Sequence, residues 1–455
     1  MFIGRKDELN LINNLLHREN GTIMIYGKRK VGKTTLIKKS LETSKDKTIY
    51  FECLKTPLQD NIDAFVSELV RNNVINSNIS FKTFNDLFSF INQLPYTFNI
   101  IFDEYPYLKY FTSSETIDSM FQSIIDNNIK NIRLFISGSH VSMMKELLSE
   151  DNALYGRFIN IIHLKELDYL TSSLFYNNKT VYDKIAFYSV FGGSPYINQC
   201  IDNTLSLEEN IINNILNPMS YVFGYMENLF ISDYTNSINA ERIFSLISNG
   251  HKKYKDIEEK LKLKTNGNLA KQLNILESMG IIEKVYPINK QDDKKKVYYE
   301  FKDNLLRFYY TYIYKNKSAL QMLGAHSFYE AYIKDSINTF ISHRFEDIVK
   351  SYFSLKAKNN QLKGLLNIGS FYYDDSITKT NGEFDVALKY KNHYEIYEVK
   401  YLANEMSKKL IEKEVEQINN IQGLNIEKIG FVSVNGFESI DNKYIYLTGE
   451  DIYNI

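Results

Sequence analysis

Tryptophan is absent from the 455-residue chain, and cysteine and proline are scarce, at two and six residues. Cys53 and Cys200 lie far apart and in no metal-ligand spacing. This excludes a disulfide framework and reads as two buried free thiols in a reducing cytosol. No Gly-, Ser- or Pro-rich stretch marks a linker. Lysine plus arginine number 54 against 55 acidic residues, a net charge of −1, so any nucleic-acid surface must be a local patch and not a global field. No uncharged apolar run approaches the roughly 18 residues of a membrane-spanning helix. The start, Met1-Phe2-Ile3-Gly4-Arg5-Lys6-Asp7-Glu8, has no secretory apolar core. The chain reads as soluble and cytoplasmic, with no membrane partner. What remains is an ordinary globular composition, 44% hydrophobic and 24% charged, with 35 Tyr and 29 Phe for aromatic packing. Its length calls for several domains.

Apolar positions Leu9, Ile12, Leu15 and Leu16 repeat at a helical period. Short apolar strands follow at 22–26, 48–53, 99–102 and 133–137, separated by amphipathic helical stretches. Strands alternating with helices predict a parallel sheet covered on both faces. Residues 166–235 read as mainly helical, and 238–300 as three short helices and a strand pair. Lys315-Asn316-Lys317 closes a Tyr-rich helix, and a last α/β unit fills the rest. The expected division is an α/β core over 1–165, a helical lid over 166–235, a third module over 236–318 and a C-terminal domain over 319–455.

Gly27-Lys28-Arg29-Lys30-Val31-Gly32-Lys33-Thr34 fits G-x-x-x-x-G-K-[ST] at every fixed position, with an apolar strand before it and a helical stretch after it. Gly27 and Gly32 let backbone N–H groups turn toward phosphates, and the helix start adds a favourable dipole. Lys33 is placed to reach the β- and γ-phosphates of ATP. The Thr34 hydroxyl is a Mg²⁺ ligand, and Thr35 joins the nucleotide-contacting set. About 70 residues on, Ile100-Ile101-Phe102 runs into Asp103-Glu104. There Asp103 would hold Mg²⁺ through water, and Glu104 would orient or deprotonate the attacking water. The next strand ends in Ser137-Gly138-Ser139-His140, where Ser139 or His140 could sense the γ-phosphate or simply shape a turn. Arg157, in Ala153-Leu154-Tyr155-Gly156-Arg157, could stabilise transition-state charge in cis or from a neighbouring subunit of a homo-oligomer. Its alternative is a surface Arg paired with a carboxylate.

Together these residues resemble the archaeal-type P-loop ATPases, an AAA-related, signal-transducing branch. The match takes in Phe2-Ile3-Gly4-Arg5 with Glu8, the phosphate loop, Asp103-Glu104, Gly138-Ser139, Leu154-Tyr155-Gly156-Arg157 and Gly192-Gly193-Ser194-Pro195-Tyr196. The resemblance implies that Arg5 lies near the adenine and that the Gly-Gly segment belongs to a helical lid. It also implies that the C-terminal part is the nuclease-like domain often fused to such ATPases.

In 238–300, Ile243, Leu246 and Ile247 form one apolar helical face, Tyr254, Ile257 and Leu261 a second, and Leu269, Leu273, Leu276 and Met279 a third. Gly280, the strand-like 281–285, a loop Gln291-Asp292-Asp293-Lys294-Lys295-Lys296 and the strand-like 297–301 follow. This is the order of a winged helix-turn-helix, with the third helix as reader. Residues 251–296 hold twelve Lys and seven acidic residues, a local excess suited to DNA phosphates. Lys271 and Gln272 would form the reader's polar tip. No Arg is available for guanine contacts, so sequence-specific reading is not expected.

Residues 382–390 and 393–400 are two strands around Lys391-Asn392. With a two-residue turn Tyr390 faces His393, which sets Asp385 opposite Glu398 and Glu383 opposite Lys400. Period two puts these four on one face, and Phe384, Val386, Tyr397 and Val399 on the other. Opposed carboxylates destabilise a strand pair unless neutralised, and a divalent metal beside Lys400 would do so. The pattern is the D…E-x-K arrangement of the PD-(D/E)XK nucleases. That resemblance makes Asp385 and Glu398 Mg²⁺ ligands, gives Lys400 the hydrolytic water, matches Glu346 to the upstream acid and likens Gln417 to an auxiliary polar residue. The alternative is a surface hairpin whose charges pair with Lys400 and Lys389.

The sequence therefore predicts an α/β multidomain protein: a P-loop parallel-sheet core with helical lid, a winged helix-turn-helix, and a restriction-endonuclease-like C-terminal domain. It would bind and hydrolyse ATP with Mg²⁺ and act on DNA through a nucleotide-gated nuclease-like domain. The alternative is a non-cleaving nucleotide-dependent switch whose C-terminal domain only binds a partner.

Overall fold

A computed structural model describes residues 2–454 apart from 78, 234–239, 249, 251, 263–267, 291–292, 294–295, 376–379 and 422–423. Of the loop expected to form a wing, Gln291, Asp292, Lys294 and Lys295 lie outside the described residues. The chain divides into two compact units, Met1–Glu166 with Ser194–Tyr196, and Leu167–Gly193 with Ile197–Ile455.

In the first unit, apolar β-branched and aromatic runs form five parallel strands: β1 (Gly21–Tyr26), β2 (Lys47–Glu52), β3 (Phe98–Asp103), β4 (Ile132–Gly138) and β5 (Asn160–His163). Their order is β2-β3-β4-β1-β5. Strands buried on both faces need no polar alternation, and every residue of β1, β3 and β4 is buried. One face packs Met24, Ile100 and Phe102 against the helices Leu58–Arg71, Phe84–Ile91 and Ser114–Asn127. The other packs Ile23, Ile25 and Ile101 against Lys6–Leu16 and Lys33–Leu41. The strand switch between β1, β3 and β4 gathers the carboxyl ends of these strands, where ligands bind in open α/β sheets.

The second unit begins with short helices, among them Tyr169–Ser173 and Val181–Phe191. It continues through helices Ala240–Ile247, Tyr254–Leu261 and Asn268–Ser278, with strands β6 (Lys252–Lys253), β7 (Ile282–Val285) and β8 (Tyr298–Phe301) in an antiparallel sheet β6-β8-β7. Lys271 is exposed but Gln272 is buried, 6% exposed, so the expected polar tip is reduced to Lys271. The run Lys315-Asn316-Lys317 closes the Tyr-rich helical stretch at Asn316, which leaves helical geometry at φ −115°, ψ 19°, and a new helix begins at Lys317. The chain passes from Asn304–Phe308 through a π turn at Tyr309–Ile313 and a tight turn at Tyr314–Asn316 straight into the helix Lys317–Tyr332.

The long helix Ile337–Lys358 packs on the last sheet, ordered β13-β12-β11-β10-β9. Its strands are β9 (Asn367–Asp375), β10 (Thr380–Lys389), β11 (Tyr394–Lys400), β12 (Ile426–Ser433) and β13 (Ile445–Thr448). Neighbours from β9 to β11 are antiparallel, and those from β11 to β13 parallel. Lys391-Asn392 does form a tight turn, with the Tyr390 N–H donating to the His393 carbonyl at 3.0 Å. Val386 pairs with Tyr397 and Lys389 with Tyr394, the expected register. The β10–β11 pairing stops at Val386, so Glu383 pairs with Tyr372 of β9 and not with Lys400. A bulge between Phe384 and Ala387 breaks the β9–β10 register beside Asp385, a device that re-aims a side chain. Both cysteines are free, and Cys53 is buried, but Cys200 is only partly so. Among the described residues no helix is long and apolar enough to cross a membrane.

Candidate functional site

The loop between β1 and the helix Lys33–Leu41 is built for close backbone approach. A Cβ at Gly27 would lie 2.1 Å from the Leu164 carbonyl oxygen, and Gly32 sits at φ 92°, a region that excludes most side chains. Lys33 is 6% exposed, and its Nζ donates to the carbonyls of Gly27 and Lys28 at 3.0 and 3.2 Å. The ammonium is thus centred in the loop, with the helix N-terminus beside it. Thr34, the next residue, donates its hydroxyl to Asp103 Oδ2 at 2.7 Å. Thr35 is exposed one position on.

Asp103 ends β3 and collects donors from β2, from β4, from the helix Lys33–Leu41 and from the residue that follows it. Besides Thr34, the Tyr50 hydroxyl reaches Oδ2, while the Ser137 hydroxyl and the Glu104 N–H (3.1 Å) reach Oδ1. Burial first, then the Asp103 charge, drives the Tyr50 phenol above its usual range, so it stays a donor. Burial and then Asp103 likewise push up the Cys53 thiol. Glu104 is held at φ 54°, a left-handed conformation that costs a non-glycine residue about 1–3 kcal/mol and is sustained only where surroundings over-determine it. What fixes it is Ser139, whose N–H and hydroxyl donate to Glu104 Oε2 at 3.0 and 2.8 Å. The structure thus brings together Lys33, Thr34, Asp103, Glu104 and Ser139. His140 stands apart, with its ring 6.0 Å from that of Tyr107.

The rim is equally knit. Arg5, also left-handed at φ 65°, donates to the carbonyls of Val31 (3.2 Å) and Lys165 (2.6 Å) and pairs with Glu8 at 3.3 Å. Lys28 pairs with Glu166 at 2.5 Å, and Arg29 donates to the Tyr107 hydroxyl at 3.3 Å. Ser194 Oγ donates to the Lys30 carbonyl at 3.1 Å, and the Lys30 ammonium lies 4.2 Å from the Tyr196 ring centroid. The Ser194-Pro195-Tyr196 segment therefore seats on the phosphate loop. Arg157 does not. It precedes β5, and its carbonyl accepts from Thr22 at the start of β1, the strand end remote from the loop. Its guanidinium pairs with Asp126, both bonds being 3.0 Å. A role in cis is thereby corrected, and the pairing with a carboxylate is what the structure has.

The second constellation lies on β10 and β11. Lys400 Nζ is 3.0 Å from Glu398, 3.3 Å from Asp385 and 3.8 Å from Glu414 of the helix Lys408–Asn419. Asp385 Oδ2 also accepts the Val399 N–H at 2.8 Å. The cation between the carboxylates is therefore Lys400 itself, where a metal with Lys400 beside it was expected. Glu398 is 3% exposed, and its Oε1 has no hydrogen-bond partner among the described residues. Burial, then Asp385, holds its pKa well above the carboxylate range. Burial opposes the Lys400 charge, but Asp385, Glu398 and Glu414 outweigh it and raise its pKa. Glu346 shares an oxygen with His343 Nδ1 at 3.3 Å, and its pKa is raised by burial, with the Asp385 charge adding to the shift. Gln417 donates to the Tyr373 hydroxyl at 2.5 Å. Among the described residues no three His, Cys, Asp or Glu side chains converge as a ready metal site, so Glu346 does not join Asp385 and Glu398 as a third ligand. The two that remain still fit a cation, since a buried carboxylate oxygen without a partner is costly.

Sequence reasoning missed Tyr50, Ser137 as a donor to Asp103, Glu166 and Glu414. Tyr50 is in register with Ile101, two residues before Asp103 and on the same face of the sheet, a signal readable only once β2 is set beside β3. Glu414 is three residues before Gln417, on the same helical face.

Residues 2–197 match the profile of an ATPase domain predominantly from Archaea, and residues 309–418 that of archaeal and bacterial proteins of unknown function. An uncharacterized protein of Methanocaldococcus jannaschii is 28% identical over 378 residues, 82% of each chain. An uncharacterized ATP-binding protein of the same organism is 43% identical over 54 residues, 12% of this chain and 92% of that one. Among solved structures, a Walker-type ATPase of Pyrococcus abyssi shares 17% identity at TM-score 0.48, covering 68% of this chain and 96% of its own. The ORC2 protein of Aeropyrum pernix shares 12% identity at TM-score 0.46, covering 70% and 94%. Scores below one half decide nothing about the fold. The domain match and the phosphate loop together make the chain a nucleotide-binding P-loop ATPase.

Proposed function

We propose that this ATPase couples its nucleotide state to a Mg²⁺-dependent phosphodiester site that acts on DNA. In the first unit, Lys33 and the loop amides from Gly27 to Thr34 take the β- and γ-phosphates. Arg5 lines the adenosine side, and Thr35 flanks it. Thr34 and Asp103 hold Mg²⁺, and Glu104, steadied by Ser139, orients the attacking water. Arg157 contributes only from a second copy of the chain, in a homo-oligomer. In the second unit, residues 240–301 form a winged helix-turn-helix that contacts phosphates through lysines and does not read sequence. Its neighbour, from 319 on, is a PD-(D/E)XK-type domain. There Asp385 and Glu398 would hold Mg²⁺, and Lys400 would position water. Bound Mg²⁺ would supply Lewis-acid polarisation of a phosphoryl oxygen.

The observation that carries this reading is Glu398 Oε1, a buried carboxylate oxygen without a partner, next to Asp385. A stability role alone would not leave it orphaned. The test is ATP turnover and plasmid nicking in Mg²⁺, with and without ATP, on wild type, Lys33→Ala and Asp385→Ala. Nicking by wild type that disappears in Asp385→Ala is expected, with turnover lost in Lys33→Ala. No nicking, or nicking undiminished in Asp385→Ala, overturns the phosphodiester half.

A second reading is favoured by Lys400 already bridging both carboxylates. The C-terminal domain then only binds a partner, and the protein is a nucleotide-dependent switch. It requires ATP turnover without nicking and no Mg²⁺ binding at Asp385.

A further inference from the structure

The second unit contains a cavity of about 660 Å³. The 240–301 module and the helix that follows it wall one side, and the long helix Ile337–Lys358 with β9 and β10 walls the other. Its lining combines three chemistries. Arg307, Arg344 and Lys350 supply cations, the last two already paired with Asp347 of the same lining at 2.8 and 3.5 Å. Arg307 is 8% exposed, and although it reaches the Phe301 carbonyl and Glu300 (3.3 Å), its Nε is buried without a partner among the described residues. Glu346 and Glu383 supply acceptors, and Tyr312, Phe340 and Tyr372 supply aromatic surface. Ser370 lines the same cavity and donates its hydroxyl to the Asp385 carbonyl at 3.3 Å, so the cavity adjoins the carboxylate cluster.

An inorganic anion would use only the cations. A nucleotide uses all three surfaces: phosphate on the guanidinium groups, sugar hydroxyls and base amines on the carboxylates, and the base plane on the rings. The volume lies within the ~300–1,000 Å³ of small-ligand pockets. It is too small for a duplex, whose major groove alone is ~12 Å wide. We propose that this cavity takes an unpaired nucleotide of a single nucleic-acid strand, making single-stranded nucleic acid the substrate class of the neighbouring Asp385–Glu398–Lys400 cluster. The assignment rests on the phosphodiester reading for its place in the reaction, but its test is binding alone.

Fluorescence anisotropy of the full chain in EDTA compares a short 5′-fluorescein-labelled deoxyoligonucleotide with the same sequence annealed into a duplex, using deoxyadenosine monophosphate as competitor. The single strand should bind about tenfold or more tightly than the duplex, and the mononucleotide should compete only weakly. Thr339→Trp at the exposed mouth and Lys252→Glu at the rim should each weaken strand binding about tenfold, with ATP turnover unchanged. If Thr339→Trp loses ATP turnover as well, Lys252→Glu decides. Duplex binding as tight as strand binding, or strand affinity unmoved by these substitutions, overturns the proposal. So does a mononucleotide that binds as tightly as the strand, which would mark a free-nucleotide site. Intact strand binding with no cleavage in Mg²⁺ would overturn the phosphodiester reading and leave the cavity assignment standing.

Discussion

Replacing Lys400 by methionine removes one ammonium from among three carboxylates while keeping its aliphatic length. Nζ lies 3.0 Å from Glu398, 3.3 Å from Asp385 and 3.8 Å from Glu414, and the Glu398 side chain is only 4% exposed. Breaking a buried pair from one side costs about 3–5 kcal/mol, because the surviving charge keeps its desolvation penalty. Glu398 has another route, which is to bind a proton. Its pKa is already well above the ordinary 4.5, through burial and then Asp385, with Lys400 as the main opposing influence. A carboxyl whose folded pKa exceeds its unfolded value leaves stability fully present below the unfolded pKa. That stability is lost as pH rises through the folded pKa. Lys400→Met should therefore melt close to wild type near pH 4.5, where Glu398 is protonated in both, and fall behind progressively toward pH 8. The full gap of about 3–5 kcal/mol corresponds to a melting difference of roughly 3–8 °C for a unit of this size. Calorimetry across that range reads it directly. Adding Glu398→Gln to Lys400→Met should flatten the slope, since an amide cannot titrate. Equal destabilisation at every pH, or no rescue by Glu398→Gln, would refute the electrostatic account. If Asp385 and Glu398 hold a divalent ion, millimolar Mg²⁺ should also raise the melting temperature of Lys400→Met, and an unmoved melt would remove the metal assignment.

Three further outcomes are expected. Tyr50→Phe deletes one donor to Asp103, a bond to a charged group worth about 1.5–3 kcal/mol. The concentration of Mg²⁺ that half-saturates ATP turnover should shift by about tenfold or more, without a change in melting beyond a few degrees; an unchanged Mg²⁺ requirement removes Tyr50 from the site. Arg157→Ala breaks a half-exposed pair with Asp126, worth under about 1 kcal/mol, and donations to the Ala153 and Tyr155 carbonyls at 2.8 and 3.3 Å, so stability should fall by no more than about 1–2 kcal/mol. If the guanidinium serves a second copy, wild-type specific activity should rise with protein concentration and the variant's should not; identical dilution curves sink that role. Phe102→Ala empties the centre of a ring cluster in which Phe51, Phe65, Phe84, Phe88 and Phe121 lie with centroids 5.0–6.1 Å away. Denaturant unfolding should show a loss of about 3–5 kcal/mol, and a loss below 1 would mean the cluster repacks.

The phosphate site was legible because its parts are contiguous. The strand, loop and helix start are one stretch of chain, and the glycines are demanded by backbone approach. Asp103 and Glu104 were legible as the exit of a buried strand. Their partners were not, because Tyr50 and Ser139 reach them from other strands, and strand order is not written in any local pattern. Arg157 shows the converse: a motif gave it a role, and the sheet places it at the far strand end. Gln272 was misread for a simpler reason. It stands three residues after Leu269 and four before Leu276, so helical spacing already puts it on the buried face.

The C-terminal hairpin tested how far local rules extend. A two-residue turn fixes register, and the pairing from Lys389–Tyr394 to Val386–Tyr397 follows it. Beyond Val386 the β10–β11 pairing ends, and no pattern in the sequence announces it. The consequence is chemical as well as geometric. With strict pairing Glu383 would have shared Lys400. Instead Glu383 turns to Tyr372 and the cavity wall, while Lys400 is left to Asp385, Glu398 and Glu414. One ammonium among three carboxylates leaves the cluster net negative when all are ionised, and the unpartnered Oε1 of Glu398 marks where that deficit is concentrated. A hairpin kept only for stability would do better with apolar residues there. The charge imbalance, more than the D…E-x-K spacing, is therefore what supports the proposed cation site on these two interior strands.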